Sequence, residues 1–285
     1  MAEVGQGLFL GDTPITSLFG NDFVFVNPFT EPSLDPDAEA FLTATGITDG
    51  TITIAINELV LDLKSNSLWT KMDAIYPFVG GTATTNKYNL KDPQDTDGAY
   101  RLSYTGTVTH DSDGFTTNGV NGYADTHLAP SAMGGGQNDV HMFYYMNDIK
   151  GGQSGIDIGS ANAATVGLWS NSRNPSDVFN TRCNDTTTDG DSGITSTGGA
   201  FTISRLSSTS YTKSYNKTKT SPAVTSSSPS TLSSYIGAVN ENGTATNFQN
   251  RTFSLVSWGS GLSDSEIDTL VDINETYQTT LGRFV

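Results

Sequence analysis

Phe253-Ser-Leu-Val-Ser-Trp-Gly-Ser-Gly-Leu-Ser-Asp-Ser-Glu266 decides the fold class, because the period of the chain changes inside it. Its first half belongs to an apolar, strand-like run, Thr252–Trp258. After the glycines, Ser263-Asp-Ser-Glu266 has the spacing of a capping box, in which serine and glutamate satisfy each other's orphan backbone donors. Ile267, Leu270, Val271 and Tyr277 follow at helical spacing. Upstream, as far as Ala74, the pattern is short β-like runs between Gly, Asn, Asp and Ser. They are Ile75–Val79, Tyr100–Thr109, Val140–Met146, Thr165–Ser170, Ala200–Leu206 and Tyr235–Val239. Tyr211, Lys213, Tyr215 and Lys217 alternate with Thr212, Ser214 and Asn216, which is strand periodicity. Glutamate is absent between Glu58 and Glu241, as expected where helices are scarce. Many closely spaced strands with one late helix predict an all-β sandwich.

The 285 residues include 30 acidic and 14 basic side chains, a formal net charge of −16. Such a chain lacks the clustered cations that nucleic-acid backbones require, so no nucleic-acid partner is expected. Only 15% of residues are charged, against about 25% in an average globular chain. Ser, Thr, Asn and Gly take their place, which suits turn-rich β structure. No run approaches the roughly 18 apolar residues that span a bilayer, so no membrane insertion is expected. The N-terminus lacks the basic and apolar regions of a signal peptide. Cys183 is the only cysteine, which excludes an intrachain disulfide. Folding in a reducing cytoplasm is expected.

Charge is uneven. Residues 1–63 carry ten acids and no Lys or Arg, the first cation being Lys64. Within this quarter Phe9-Leu-Gly-Asp-Thr-Pro-Ile15 is echoed by Leu18-Phe-Gly-Asn-Asp-Phe-Val24, each reading as strand, tight turn, strand. Residues 1–30 are therefore expected to form a hairpin segment that docks on a partner, the alternative being a terminal hairpin on its own domain. Asp35-Pro36-Asp37 reads as a helix start that would stop near Gly46. A second helix over Thr51–Ser65 would present Ile52, Ile56, Leu59 and Leu63 as one seam, widened by Ala55, Val60 and Leu61. Residues 31–73 are expected to be a helical connector.

Several stretches carry a resemblance. They are Asn118-Gly-Val-Asn-Gly-Tyr-Ala-Asp-Thr126, the Phe253–Glu266 stretch and Thr279-Thr-Leu-Gly-Arg283. Upstream lie Leu68-Trp-Thr-Lys-Met-Asp-Ala-Ile-Tyr-Pro-Phe-Val-Gly-Gly81 and Tyr88-Asn-Leu-Lys-Asp-Pro93. The first three resemble the laminin-G-like, or concanavalin A-like, jelly roll of bacteriophage virion and tail structural proteins, and the upstream pair resembles a segment that precedes that sandwich in phage tail and fibre proteins. The resemblance implies a jelly-roll β-sandwich over 74–285, a place in the virion after assembly in the bacterial cytoplasm, and contacts with other virion proteins through 1–30. By analogy with phage fibres and spikes it implies a homo-oligomer, in the simplest case a trimer. The role implied is non-enzymatic: a tail, fibre or head-decoration lobe that adheres to host-surface carbohydrate. The alternatives are a purely structural decoration lobe and a polysaccharide depolymerase.

Each chemistry-bearing residue type in this sequence also has a plainer role. Glycoside hydrolysis needs two carboxylates about the sugar bond, yet Glu-x-Asp-x-x-Glu is absent and so is any Glu between Glu58 and Glu241. Gly190-Asp-Ser-Gly193 and Val256-Ser-Trp-Gly259 are similar to trypsin-family fragments. No histidine motif precedes them, so turns are the plainer reading. His110, His127 and His141 lack zinc-site spacing. Asp92, Asp95 and Asp97 in one turn-rich stretch, and Asp185, Asp189 and Asp191 in another, have the alternating oxygens that suit calcium. Neither has the glutamate that completes an EF-hand, and Asp-Gly is a common turn pair, so no cofactor is required and calcium is the one ion the spacing suits. For a glycan, Tyr123, Tyr144, Tyr145, Trp169 and Trp258 are the candidate aromatics. Phe143–Met146 and Trp258 also fit as plain core, since they lie in apolar runs.

Overall fold

The structure is a computed structural model that describes residues 9–10, 13–14, 34–149, 153–162, 166–195 and 198–285. The chain divides into two compact units, Met1–Ser33 and Leu34–Val285. In the first, Phe9–Leu10 pairs antiparallel with Thr13–Pro14. The echo at 18–24 and the remainder of the expected docking segment lie outside the described residues.

The second unit is a jelly-roll β-sandwich of two sheets with a helical layer. One sheet runs, in spatial order, Asp189–Ser192, Val178–Asp185, Val166–Asn171, Ile158–Asn162, Tyr235–Ile236, Tyr123–Asp125 and Ser103–Thr105. The other runs Thr218–Thr220, Thr212–Tyr215, Gly199–Arg205, Val140–Ile149, Arg251–Gly259, Gly114–Thr117 and Val108–Asp111, with Met72–Tyr76 also paired to Arg251–Gly259. Pairing is antiparallel except where Val239–Glu241 runs parallel to Ile158–Asn162.

The second sheet is covered on both faces, which is why its central strands read as unbroken apolar runs. Met142, Tyr144 and Met146 point between the sheets, while Phe143 and Tyr145 point at the helices. In Arg251–Gly259 an irregularity between Phe253 and Leu255 shifts the register. Phe253, Val256 and Trp258 thereby join the inter-sheet core while Leu255 joins the helical side.

The helices start where their caps place them. Asp35 accepts from Asp37 N at 3.0 Å and opens α1 (Pro36–Thr45), which Gly46 closes in the left-handed conformation. Asp49 accepts from Ile52 N at 3.0 Å and opens α2 (Gly50–Ser65). After the single turn α3 (Ala83–Asn86), the last helix is α4 (Asp264–Thr280). Its capping box is formed: Ser263 N donates to Glu266 Oε2 at 2.8 Å and Glu266 N to Ser263 Oγ at 3.4 Å. Ile56, Leu59 and Leu63 are buried with Ala55 and Val60, but Leu61 is 47% exposed, on the far side of the seam. Helices α1, α2 and α4 share one apolar cluster with the second sheet. The helices expected as a connector thus lie within the compact unit of the sandwich, and Met72–Tyr76 crosses the expected 73/74 boundary as a paired strand.

Four expected strands end or break for backbone reasons. Met72–Tyr76 stops at Pro77, which has no N–H, and at Phe78, whose φ is +46°. The 100–109 run splits at Gly106 (φ +71°), where a Cβ would lie 2.0 Å from Asn121 O. Gly237 (φ +90°) splits 235–239. Asn216 and Lys217, both at positive φ, turn the 211–217 alternation into a hairpin.

Arg283 ties the C-terminal segment down. Its guanidinium donates to Pro77 O and Phe78 O at 2.8 Å, Ser254 O at 2.7 Å and Gln278 Oε1 at 2.6 Å. At the sheet edge, Asp189 and Asp191 lie opposite Thr181 and Phe179 and turn inward to Lys213, whose side chain is 0% exposed. That lysine joins an edge strand of one sheet to the other sheet. Asp-Gly-Asp-Ser at 189–192 is therefore an edge strand rather than a turn.

Candidate functional site

The first sheet keeps one face away from the core. Leu168, Cys183, Phe179, Ile158, Ile236 and Ala124 point inward. Their strand neighbours Trp169, Arg182, Gly159, Tyr235 and Asp125 point outward. Pairing aligns Arg182, Trp169, Gly159, Tyr235, Asp125 and Ser103 in one row across six strands. Trp169 is half-buried, with the Arg182 Cζ 5.3 Å from its ring centroid.

Beside Trp169 opens a cleft of about 240 Å³, lined by Ser154, Gly155, Ile156, Asn171, Asn174, Pro175, Asn180 and Asn247 as well as the indole. Three segments form its walls. Asn171 Nδ2 donates to Gly155 O at 2.5 Å, and Arg173 N donates to Asn171 Oδ1 at 3.0 Å. Ile156 N donates to Asn247 O at 2.7 Å. Asn174 Oδ1 accepts from Ser176 N and Val178 N at 2.8 and 3.1 Å, which leaves its Nδ2 donors for a ligand. The Asn180 amide makes no hydrogen bond among the described residues, so it offers both donor and acceptor.

A buried ion pair sits under these walls. Arg251 Nε donates to Asp157 Oδ1 at 2.9 Å, and Arg251 Nη2 to Arg173 O at 3.1 Å. Asp157 Oδ2 accepts from Ser172 N. The pair thus fixes the 172–177 loop against the 154–157 loop, and an apolar floor could not do the same for these polar backbone groups.

The expected aromatics separate into two groups. Trp169 and Tyr123 are on the outward face, where the Tyr123 ring lies tilted against Tyr235, centroids 4.6 Å apart, and 6.2 Å from Phe248. Tyr144 and Trp258 are sealed between the sheets, the former bonded to Ser170 and the latter edge-on to Tyr76 at 6.0 Å. Tyr145 faces the helices, and its hydroxyl accepts from Val285 N at 2.8 Å. These three are core residues that cannot stack a sugar, because their strands are buried on both faces. Sequence reasoning missed the cleft's asparagines and Phe248. The signal was there in Asn171-Ser-Arg-Asn174-Pro175, but asparagine in a turn looks the same whether its amide serves the turn or a ligand.

The expected metal carboxylates have other partners. Asp95 pairs with Lys87 at 2.5 Å and Arg101 at 3.0 Å, Asp97 with Arg101 at 3.0 Å, and Asp92 accepts from Gln94 at 2.8 Å. Asp185 is buried against Arg205 at 3.2 Å. No group of three or more potential ligands assembles among the described residues. Burial pushes the Cys183 thiol up to about 12 and the His141 imidazole down to about 4.

Among the described residues two Ser–His pairs are brought together: the buried Ser257 Oγ lies 3.5 Å from His141 Nε2, and the part-buried Ser103 Oγ lies 2.8 Å from His127 Nε2. In a catalytic triad the carboxylate holds the other ring nitrogen. At His127, Asp97 approaches the same Nε2, at 3.5 Å, so it would compete with the serine. A larger groove of about 640 Å³ runs between the α1–α2 loop and residues 79–81, but all the N–H bonds of Arg283 in its wall already go to backbone and Gln278.

No family model matches this sequence, and no curated protein matches it. Among solved structures, domain 4 of an extracellular arabinanase from Geobacillus stearothermophilus, in complex with arabinotriose, is similar over 70% of this chain and 98% of that domain, at 11% identity and a TM-score of 0.48. A Trypanosoma rangeli sialidase in complex with sialic acid is similar over 70% of this chain and 33% of its own, at 12% identity and a TM-score of 0.48. The binding domain of botulinum neurotoxin serotype D is similar over 73% and 53%, at 8% identity and a TM-score of 0.49.

Proposed function

We propose that the chain is a non-enzymatic bacteriophage virion component whose sandwich binds a host-surface carbohydrate in the Trp169 cleft. The observation that carries this reading is the cleft itself: an indole beside the free Nδ2 donors of Asn174 and the side-chain amide of Asn180, unbonded among the described residues. Sugars present apolar C–H faces to aromatic rings and hydroxyls to amides, so this pairing of groups suits them. Hydrolysis would need two carboxylates flanking the bond, and the described lining holds none. That favours binding without cleavage. The virion setting is supported by the sequence resemblance, with residues 1–30 as the segment for other virion proteins and a trimer as the assembly.

The test is binding of the full chain to intact host cells and to extracted surface polysaccharide. Saturable binding, competed by that polysaccharide and lost in Trp169→Ala, is the expected result. Release of new reducing ends would make the protein a depolymerase instead. Attachment to particles with no carbohydrate binding would make it a decoration lobe.

A further inference from the structure

We infer that the cleft selects a neutral oligosaccharide over an acidic one, and that the sugar next to the one in the cleft stacks on Phe248 and Tyr123. The inference rests on the carbohydrate reading above and names the ligand class for that site.

The first half follows from charge. No ionisable side chain is among the described residues that line the cleft. The cations around it are engaged elsewhere. Arg173 Nε holds Asp177 at 2.6 Å, Arg251 holds Asp157, and Arg182 lies by the indole with its Nε on Thr188 Oγ1 at 3.1 Å. A carboxylate-bearing sugar entering here would give up hydration with no cation in the lining itself to pair with, which is costly for a charge leaving water. The net charge of −16 adds long-range repulsion. A neutral ring meets neither penalty, and amides with the Ser154 hydroxyl are the right groups for its hydroxyls.

The second half follows from chain continuity. Asn247 closes the cleft on one side, held by the Ile156 N–H at 2.7 Å. The ring of the next residue, Phe248, lies 6.2 Å from Tyr123, which in turn lies tilted against Tyr235. An aromatic surface therefore begins one residue beyond the cleft wall. Trp169 and Tyr235 are separated by the strand of Gly159, hence by about 10 Å at normal strand spacing. One sugar ring cannot touch both surfaces, but a short chain can.

The experiment uses the full chain and a panel of neutral oligosaccharides from one to four sugars, each with a carboxylate-bearing counterpart, screened on an array and then by calorimetry. Expected are at least tenfold weaker binding of each acidic counterpart and at least a tenfold gain from the shortest to the longest neutral ligand. Phe248→Ala should remove that length gain and leave binding of the shortest ligand in place; Phe248→Leu, checked by circular dichroism, serves if the alanine variant does not fold. Equal or tighter binding of acidic glycans, or affinity independent of length, overturns the inference while leaving the carbohydrate reading standing. A folded protein that binds neither class removes the carbohydrate reading as well.

Discussion

Asp157 and Arg251 meet at 2.9 Å with both side chains 0% exposed, and the loops they join are the walls of the cleft. Removing one partner leaves the other charged and buried, which costs about 3–5 kcal/mol. Asp157→Asn should therefore lower the midpoint of thermal unfolding by roughly 10 °C in a chain of this size. Differential scanning calorimetry checks this, and a shift within experimental error would show that the pair is not sealed.

Trp169 and Trp258 are expected to behave oppositely. Trp258 is packed between the sheets, so Trp258→Ala should destabilise by about 3–5 kcal/mol. Trp169 is half-buried at the cleft, so Trp169→Ala should keep a near-native unfolding midpoint in urea and lose carbohydrate binding. Equal losses of stability would contradict the placement of Trp169.

His141 makes stability depend on pH. Its Nδ1 donates to Ser260 O at 2.6 Å, and burial holds the folded-state value at about 4 against an ordinary 6.5. A base depressed in this way contributes nothing adverse above pH 6.5, where both states are neutral. As pH falls from 6.5 towards 4 the unfolded chain takes up the proton first, so stability is lost, by roughly 3 kcal/mol over the whole window. Urea unfolding at pH 7 and pH 4.5 should show a larger loss for the native sequence than for His141→Gln.

Cys183 should resist chemistry in the folded state. Its thiol is fully buried and pushed up to about 12, chiefly by desolvation, so little thiolate forms near neutrality. Alkylation by iodoacetamide at pH 8, followed by intact mass, should be absent without denaturant and complete in guanidinium chloride.

The elements most legible in sequence were those with local causes. Asp35 and Ser263 cap helices through their own side chains, so short windows reveal them. The apolar runs at Val140–Met146 and Thr252–Trp258 gave the central strands of the covered sheet. Less legible was which face each aromatic takes. Tyr144 and Tyr145 are adjacent, yet one faces the other sheet and one the helices, and only register decides it. Position 217 shows the same limit, since the alternation through Tyr215 continues on paper while two positive φ values end the strand. The cleft was the hardest part, because its walls come from three distant segments, 154–156, 171–180 and 247, joined by bonds such as Asn171 to Gly155.

Lys213 and its inward-facing aspartates also bear on how copies of this chain behave when crowded. A foreign strand could extend the sheet along Asp189–Ser192 only by flattening an edge whose inner side carries Asp189 and Asp191. Burial of those carboxylates away from their lysine would oppose it, as inward charges on edge strands do generally. This margin of the first sheet is thereby guarded against strand addition by a neighbouring copy.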